Sequence, residues 1–379
     1  MRSYAGTGCQ NLSMKDTNYV EALVRNAVRD AALVRPDWTA GAWRDPKLLW
    51  LDKNENTDPI LARVTSRVLA GISSATLQTY PECAPLYRKL AARLGLGINT
   101  LLLAHGSDGV IRTVFEAFIE PGDGVLFPSP TFAMYAVYSR IYGAKAIPLE
   151  YQPSEGGPKL SAARISEEIA RSKPKLVCLP NPDSPTGTVF SPAELREIIV
   201  AAQENAAVIL VDEAYFPFYD QTVIGLTREF PHLIVARTFA KAWGVAGLRI
   251  GYAISHPLVT PFLHKVRPMY EVNTLAVAAL EQLLDFEDEM LASVRRLNAG
   301  KEYFLGEMGK LNLRTLRGHG NFLHVAFGPH APAVHDALKG MVLYRRDFAE
   351  PSLKSFSRFS ATTQELFQPI IDTIRVKVT

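Results

Sequence analysis

Short apolar runs alternate with amphipathic stretches through the middle of the chain. Between Gly95 and Ile250 the runs are nearly continuous, which is typical of strands that are buried on both faces. This pattern predicts strands at residues 101–103, 125–127, 146–149, 176–179, 208–211 and 233–236. Apolar positions at helical spacing predict helices at residues 87–94, 110–118, 134–142, 162–171 and 192–205. The alternation predicts an α/β fold with a mostly parallel sheet covered by helices on both faces.

The two ends of the chain follow other patterns. Residues 1–18 are small and polar and predict a loose arm, residues 19–33 have helical spacing, and residues 48–51 form a short apolar run. Beyond Pro268 the pattern predicts a long helical stretch at 275–311, a half-buried strand at 322–327, a short helix, strand-like pieces around Leu343 and Phe359, and a last helix at 364–374. We therefore predict an arm and helix (1–50), a large domain (51–265) and a smaller α+β domain (266–379).

Composition narrows the class of protein. The chain has 379 residues, is 47% hydrophobic and has a formal net charge of +3, so no broad basic surface indicates a nucleic acid and no basic tail indicates a membrane. No apolar run approaches the roughly 20 residues of a membrane span. The three cysteines, Cys9, Cys83 and Cys178, have no CxxC or metal-ligand spacing. We predict a soluble cytoplasmic protein with no disulfide framework and no metal site.

Candidate functional residues follow the predicted strands. Ser107, Phe132, Ser184, Asp212 and Lys241 each come just after an apolar run. In open α/β sheets ligands bind beyond the carboxyl ends of the strands, so this shared placement predicts one common site. It is a stronger argument than any single motif.

Two of these segments indicate particular chemistry. Residues 105–109 form a glycine-containing turn between a strand and a helix start, where free N–H groups and the helix dipole favour an anion, although many such turns bind nothing. Lys241 lies among apolar and small residues, where an ammonium group is costly to desolvate and an amine is nucleophilic. The alternative is an ordinary surface lysine after a strand.

Every other candidate also has a structural alternative. Asp212 could cap a helix or form a loop ion pair, Phe132 could be a core residue, and Tyr215 could pack against its aromatic and proline neighbours. Arg249 and Arg358 could be surface arginines, and the asparagines at 54 and 56 could be turn residues. A pyridine cofactor that carries a phosphate and an aldehyde would use a buried amine, a carboxylate, an anion-binding turn and an aromatic ring in one pocket.

The motifs in their order resemble the pyridoxal-phosphate enzymes of the aspartate aminotransferase fold (class I/II, fold type I), and most closely histidinol-phosphate aminotransferases. The resemblance covers nearly the whole chain. It rests on Leu51-Asp52-Lys53-Asn54-Glu55-Asn56, Tyr80-Pro81, Gly106-Ser107-Asp108, Pro130-Thr131-Phe132, Pro185-Thr186-Gly187, Asp212-Glu213-Ala214-Tyr215, the segment 238–252 and Arg358.

The resemblance implies a role for each matching residue. Lys241 would form the imine with the aldehyde of pyridoxal 5'-phosphate and then move protons at the substrate's α-carbon. Asp212 would pair with the pyridine nitrogen and Tyr215 with the phenolic oxygen. Phe132 would stack on the ring, and the phosphate would be held by Gly106, Ser107, Asp108, Thr238 and Arg249, with Tyr80 reaching in from a partner subunit. Arg358 would bind the anionic group of a small-molecule substrate, with Arg346 and Asn54 as further substrate contacts.

The chain departs from the family pattern at two positions. Ser184 stands where asparagine usually bonds the phenolic oxygen, and Asn181 or Asp183 could compensate for the shorter side chain. Ala240 precedes the lysine where serine is frequent, which removes one phosphate contact. Both changes leave cofactor binding in place, and they weaken the assignment of histidinol phosphate as the substrate.

We therefore predict a homodimeric aminotransferase for amino-acid biosynthesis that passes an amino group from an amino donor to a keto acid or aldehyde. One alternative is a decarboxylase of an amino acid, including a phosphorylated one such as phosphoserine. Another is a non-catalytic binding protein that kept the fold. A nicotinamide dehydrogenase is disfavoured because no GxGxxG fingerprint opens a βαβ unit.

Overall fold

The computed structural model describes residues 14–34, 44–346, 348 and 350–379, with side chains from residue 19 onward. Most of the predicted N-terminal arm, including Cys9, lies outside the described residues. The single helix predicted at 19–33 is wrong, because the chain forms two helices, Met14–Leu23 (α1) and Asn26–Arg29 (α2), separated by an extended Arg25. The apolar side chain of Leu23 is 70% exposed, so no core packing stabilises one long helix here.

A seven-stranded sheet forms the centre of the molecule. Its strands, in their order across the sheet, are Leu101–Ala104 (β2), Gly251–Ser255 (β8), Leu233–Thr238 (β7), Val208–Asp212 (β6), Leu176–Pro180 (β5), Gly124–Ser129 (β3) and Lys145–Glu150 (β4). All six predicted strands are present. The seventh, β8, was not predicted, and it runs antiparallel to both of its neighbours, so the sheet is mostly parallel.

Helices cover both faces of this sheet, as predicted. On β2, Leu101 and Leu103 belong to one apolar cluster whereas Leu102 and Ala104 belong to another, because successive side chains of a strand point to opposite faces. The second cluster is completed by Gly106–Phe118 (α5), Met134–Ile141 (α6) and Thr260–Val266 (α9). The first is completed by Pro59–Ala70 (α3), Ala84–Leu94 (α4), Ala162–Ser172 (α7), Pro192–Glu204 (α8) and Thr274–Leu283 (α10).

Local signals set several helix boundaries. α4 ends at Gly95, which adopts the left-handed conformation that glycine tolerates. α8 begins at Ser191 with a capping box, in which the Ser191 and Glu194 side chains each bond the other's backbone N–H. The long helical stretch predicted at 275–311 is divided, because a 3₁₀ turn at Leu284–Phe286 separates α10 from Glu287–Lys310 (α11).

The C-terminal region contains helices and a small antiparallel sheet. Its strands Arg314–Leu316 (β9), Phe322–Ala326 (β10) and Ser357–Ser360 (β12) pack on α11, Ala331–Leu338 (α12) and Gln364–Val378 (α13). A separate pair joins Leu49–Trp50 (β1) to Val342–Leu343 (β11) in parallel. Leu51 is fully buried in this C-terminal core, so the chain just after β1 links the two parts. The domain boundaries themselves stay a prediction.

Among the described helices, none is both long and apolar enough to cross a membrane. The same part of the chain contains no group of three or more His, Cys, Asp or Glu side chains that could hold a metal ion.

Candidate active site

A pocket lies at the carboxyl edge of the seven-stranded sheet. Nine of the predicted site residues line it, which places them in one site: Ser107, Asp108, Phe132, Ser184, Asp212, Tyr215, Thr238, Lys241 and Arg249. Because β2, β3, β5, β6 and β7 all point the same way, the loops after them converge at this edge.

The start of α5 forms one end of the pocket. Gly106 has a φ of 77°, and a Cβ there would lie 2.8 Å from Nη2 of Arg249. A Cβ on Gly251 would come within 2.6 Å of the Gly106 carbonyl carbon, so both glycines are required for β8 and Arg249 to approach the helix start. The first-turn amides of α5, including those of Ser107 and Asp108, lie beside the Arg249 guanidinium and together could form a cradle for a phosphate.

Thr238 lies at the end of β7 and faces the same pocket. Its hydroxyl accepts a hydrogen bond from the backbone N–H of Ala240, at 3.1 Å. This bond fixes the turn that leads to Lys241. Ala240, which stands where serine is frequent, thus contributes to the site through its backbone N–H.

Asp212 occupies the floor of the pocket and is buried. Its carboxylate accepts hydrogen bonds from the Tyr135 hydroxyl (3.1 Å) and the Ala214 backbone (3.0 Å). Burial raises the pKa of Asp212 to about 6, and these two hydrogen bonds oppose that rise. Among the described residues no cation lies within salt-bridge distance of it, so a cationic ligand would stabilise its charged form.

Sequence analysis missed Tyr135, which is fully buried on α6. It follows Phe132 by three residues, about one helical turn, so the two rings lie on one side of the segment. They pack edge to face with centroids 5.9 Å apart. Phe132 itself lines the pocket and is 38% exposed, which suits a ring that stacks on a ligand rather than a core residue.

Lys241 lines the same pocket as Asp212. Its Nζ donates to the carbonyl oxygen of Lys53 at 3.0 Å and lies 5.7 Å from the centre of the Tyr215 ring. Tyr215 is buried and accepts a hydrogen bond from the amide of Asn54 at 2.8 Å. Asn54, predicted as a substrate contact, is therefore engaged with a residue of the site, and it is not among the described residues that line the pocket.

Arg358 lies at the edge of the site on β12 and is 6% exposed. Its guanidinium donates to the Asp52 carbonyl (2.9 Å) and the Ser184 hydroxyl (3.3 Å), while Nε is buried without a partner. No carboxylate of the described chain pairs with it. Burial lowers the pKa of Arg358 to about 10, and the nearby Arg345 contributes to that decrease. A buried guanidinium that has no ion pair within the described chain suits an anionic ligand.

Arg345 and the predicted Arg346 both lie on the segment beside β12 and Arg358. The backbones of Arg345 and Arg358 form an antiparallel bridge, and the Arg345 guanidinium stacks on Phe348 at 4.5 Å. The Arg345 guanidinium also lies 3.8 Å from a Glu350 carboxylate oxygen. Both arginines are exposed and neither is among the described residues that line the pocket, so the substrate contact of Arg346 stays a prediction.

Neither residue suggested as a substitute for the missing asparagine at Ser184 is available. Asn181 exchanges two hydrogen bonds with the backbone of Phe190. Asp183 is fully buried and accepts from the hydroxyls of Thr131 (2.6 Å) and Tyr151 (2.7 Å). Both side chains thus stabilise the loop, and the proposal that either compensates for Ser184 is wrong.

Tyr80 lies away from the pocket lining. It is 71% exposed, and its ring stacks on that of Tyr270 with centroids 4.2 Å apart. Its predicted role at a partner subunit stays a prediction.

Comparison with known proteins identifies the family. The model of the family "Aminotransferase class I and II" matches residues 46–374. The chain belongs to the class I and II aminotransferases. The histidinol-phosphate aminotransferase of Thermoanaerobacter sp. (strain X514) is 33% identical over 304 residues, which are 79% of this chain and 84% of that protein. The enzyme of the same name from Caldanaerobacter subterraneus subsp. tengcongensis is 31% identical, over 86% of this chain and 92% of that protein.

Solved structures share the fold of this aminotransferase. Histidinol-phosphate aminotransferase from Sinorhizobium meliloti, in complex with pyridoxal-5'-phosphate, has a TM-score of 0.74 at 21% identity and covers 87% of this chain and 90% of that one. Aspartate aminotransferase from Thermus thermophilus with maleate has a TM-score of 0.70, also at 21% identity, over 87% and 92%. The predictions of the fold, of a transaminase and of pyridoxal phosphate as its cofactor are confirmed.

The pocket fits this cofactor in three separate features. The cradle around Gly106 and Arg249 suits the phosphate, because a side chain at Gly106 would fill it. Asp212 is a buried carboxylate without a cationic partner in the described chain, which suits a protonated ring nitrogen. Lys241 supplies an amine in the same pocket. The individual roles of these residues stay predictions.

Proposed function

We propose that this aminotransferase acts on a small amino compound that carries a phosphate, and that histidinol phosphate is one of its two substrates. Arg358 is the observation that carries the proposal. It is a buried guanidinium with an unpartnered Nε, and no carboxylate of the described chain lies within ion-pair distance of it. The names of the relatives point to the same compound.

Each side chain of the pocket then has a defined task. When bound, pyridoxal phosphate supplies an aldehyde that takes up an amino group and a ring that withdraws electrons from the substrate's α-carbon. Asp212 holds a proton on the ring nitrogen, and the amine of Lys241 moves a proton at the α-carbon. Arg249 and the amides of Ser107 and Asp108 hold the cofactor's phosphate. Arg358 orients the substrate through its anionic group.

A matched pair of compounds tests the substrate. The purified enzyme, with its visible cofactor band, is mixed with histidinol phosphate or with histidinol. We expect the band to disappear with the phosphate ester, and to need at least about 100-fold more of the alcohol, because a lost charged contact costs several kcal/mol. Equal responses would contradict the phosphate assignment, and release of carbon dioxide would indicate a decarboxylase.

A Lys241→Ala variant is the control for this experiment. It should lose both the visible band and the response to amines, because no other pocket residue offers an amine in the described chain. A band that survives in this variant would contradict the role of Lys241.

We also propose that the enzyme is a homodimer in which a second copy covers the surface around Tyr80. The stacked rings of Tyr80 and Tyr270 stand exposed beside Met269, which is 80% exposed. Exposed apolar residues of this size often mark protein interfaces. Sedimentation should give about twice the chain mass of 41.8 kDa. A fully active monomer would contradict both the dimer and the role of Tyr80.

A further inference from the structure

Residues 52–54 contact three different groups of the active site. The carbonyl oxygens of the first two accept hydrogen bonds from Arg358 (2.9 Å) and Lys241 (3.0 Å). The side-chain amide of Asn54 donates to the hydroxyl of Tyr215 at 2.8 Å. One short segment is thus bonded to the anion-binding arginine, the reactive lysine and the phenol.

The backbone of Asn54 is fixed independently of its side chain. Its N–H donates to the Ser360 hydroxyl at 2.8 Å, and its carbonyl accepts from the amide of Asn321 at 2.9 Å. Its φ of 56° lies in the left-handed region, where asparagine and glycine are the residues most readily accommodated. These facts explain a small residue at this turn, but they do not require an amide that reaches Tyr215.

The direction of the Asn54–Tyr215 bond matters for chemistry. A phenol that accepts a hydrogen bond from an amide has its own O–H free to donate elsewhere, and accepting strengthens it as a donor. The Tyr215 side chain lines the pocket, so its proton is available on that side. Ser184 has a shorter side chain than the asparagine that is usual at its position, so Tyr215 gains weight as the donor there.

We propose that Asn54 is a positioning residue that holds the Tyr215 hydroxyl as a hydrogen-bond donor toward the phenolic oxygen of the cofactor. The inference rests on the proposed function, because it places the cofactor between Asp212 and Lys241. It also replaces the predicted contact of Asn54 with substrate, since Asn54 is 2% exposed and its amide is engaged.

The pH dependence of the visible band of the holoenzyme tests this role. A donor at the phenolic oxygen stabilises its anionic form and keeps the band's transition at lower pH. Asn54→Gly keeps the backbone conformation and removes the amide, so we expect the midpoint to rise by about 0.5–1 pH unit. Asn54→Asp should raise it further, because a carboxylate accepts the Tyr215 proton and turns the hydroxyl away from the cofactor.

Asn312→Gly is a matched control. Asn312 is also left-handed, with a φ of 55°, but it is exposed. Its substitution should leave the midpoint unchanged, whereas a purely structural effect of removing a left-handed asparagine would appear as a similar loss of thermal stability in both variants.

A double-mutant cycle decides the question. In a Tyr215→Phe background, Asn54→Gly should cause no further rise, because Asn54 acts through the Tyr215 hydroxyl. Equal rises in both backgrounds would overturn the proposal, as would an Asn54→Asp midpoint that equals the wild type. Failure of the proposed function is recognised separately, because the wild-type band would then respond equally to histidinol phosphate and to histidinol, whatever the midpoints of the variants.

Discussion

Two adjacent acidic residues at the end of β6 have opposite surroundings. Glu213 points to one face of the sheet, where Arg237 donates to it through two nitrogens at 2.8 and 3.0 Å, and both side chains are buried. Asp212 points to the other face, where it meets only the neutral Tyr135 hydroxyl and a backbone N–H. One carboxylate is neutralised within the fold, and the other is left for a ligand.

The same contrast separates the two buried arginines. Arg237 has Glu213 as its ion partner and lies 3.6 Å from the centre of the Phe216 ring, whereas Arg358 has only neutral acceptors within its reach in the described chain. A buried charge without a partner is costly to the fold. Under the proposed function, Asp212 would pair with the ring nitrogen of the cofactor and Arg358 with the anionic group of the substrate.

Glu213→Gln breaks the buried ion pair between Glu213 and Arg237, and its effect on the free energy of unfolding should be the largest change predicted here. Leaving Arg237 buried and uncompensated should lower the free energy of unfolding by about 3–5 kcal/mol. Urea unfolding of the cofactor-free protein measures this change. A loss below about 1 kcal/mol would mean that the pair is no more than a surface-like contact.

Asp212→Asn removes the carboxylate that has no ionic partner, and it should lower the activity without lowering the stability of the fold. We expect the turnover rate to fall by about 100- to 1,000-fold, because the charge that stabilises the reacting ring is lost. The cofactor-free protein should keep its unfolding free energy or gain stability, since Asn is neutral and still accepts from Tyr135. Equal destabilisation by Asp212→Asn and Glu213→Gln would remove the distinction between the two faces.

Arg358→Gln tests the buried arginine that has no ionic partner in the described chain. The KM for the anionic substrate should rise by about 30-fold or more, as expected for one lost charged contact. The unfolding free energy should change little, because glutamine can still donate to the Asp52 carbonyl. Steady-state kinetics and urea unfolding on the same preparation separate these outcomes, and a stable variant with an unchanged KM would exclude Arg358 from substrate binding.

The smallest effect concerns the pH dependence of stability. Burial raises the pKa of Asp183 to about 7, well above that of an unfolded aspartate, so its contribution is greatest at acidic pH and is lost as pH rises toward 7. Asp212 acts in the same direction. His324 acts oppositely, because burial and Arg358 lower its pKa to about 3, so its contribution is lost as pH falls below about 6.5.

In the cofactor-free protein, the free energy of unfolding should therefore decrease less steeply between about pH 4 and pH 7 in Asp183→Asn than in the wild type. The uptake or release of one proton changes the slope of the unfolding free energy against pH by at most about 1.4 kcal/mol per pH unit. Urea unfolding at a series of pH values measures the slope, and His324→Leu serves as the comparison that should alter only the region below about pH 6.5. An unchanged slope in Asp183→Asn would mean that this carboxyl is ionised in the folded protein.

Sequence alone was sufficient for the sheet, the family and most of the cofactor pocket. Strands buried on both faces leave continuous apolar runs, and the residues after such strands must meet at one edge, so Ser107, Asp212 and Lys241 could be placed together without coordinates. β8 was not predicted because its apolar run is confined to Tyr252, Ala253 and Ile254, with Gly251 before it and Ser255 after it, although the strand is fully buried.

Only the tertiary structure decided which polar groups are partnered. The family resemblance singled out Asp212 but gave no partner to Glu213, and the pairing of Glu213 with Arg237 depends on the alternation of strand faces and on what packs against each face. The same holds for the contact of Tyr135 with Asp212 and for that of Asn54 with Tyr215. These pairs join residues that are distant along the chain or differ only in facing, and no local pattern records such contacts.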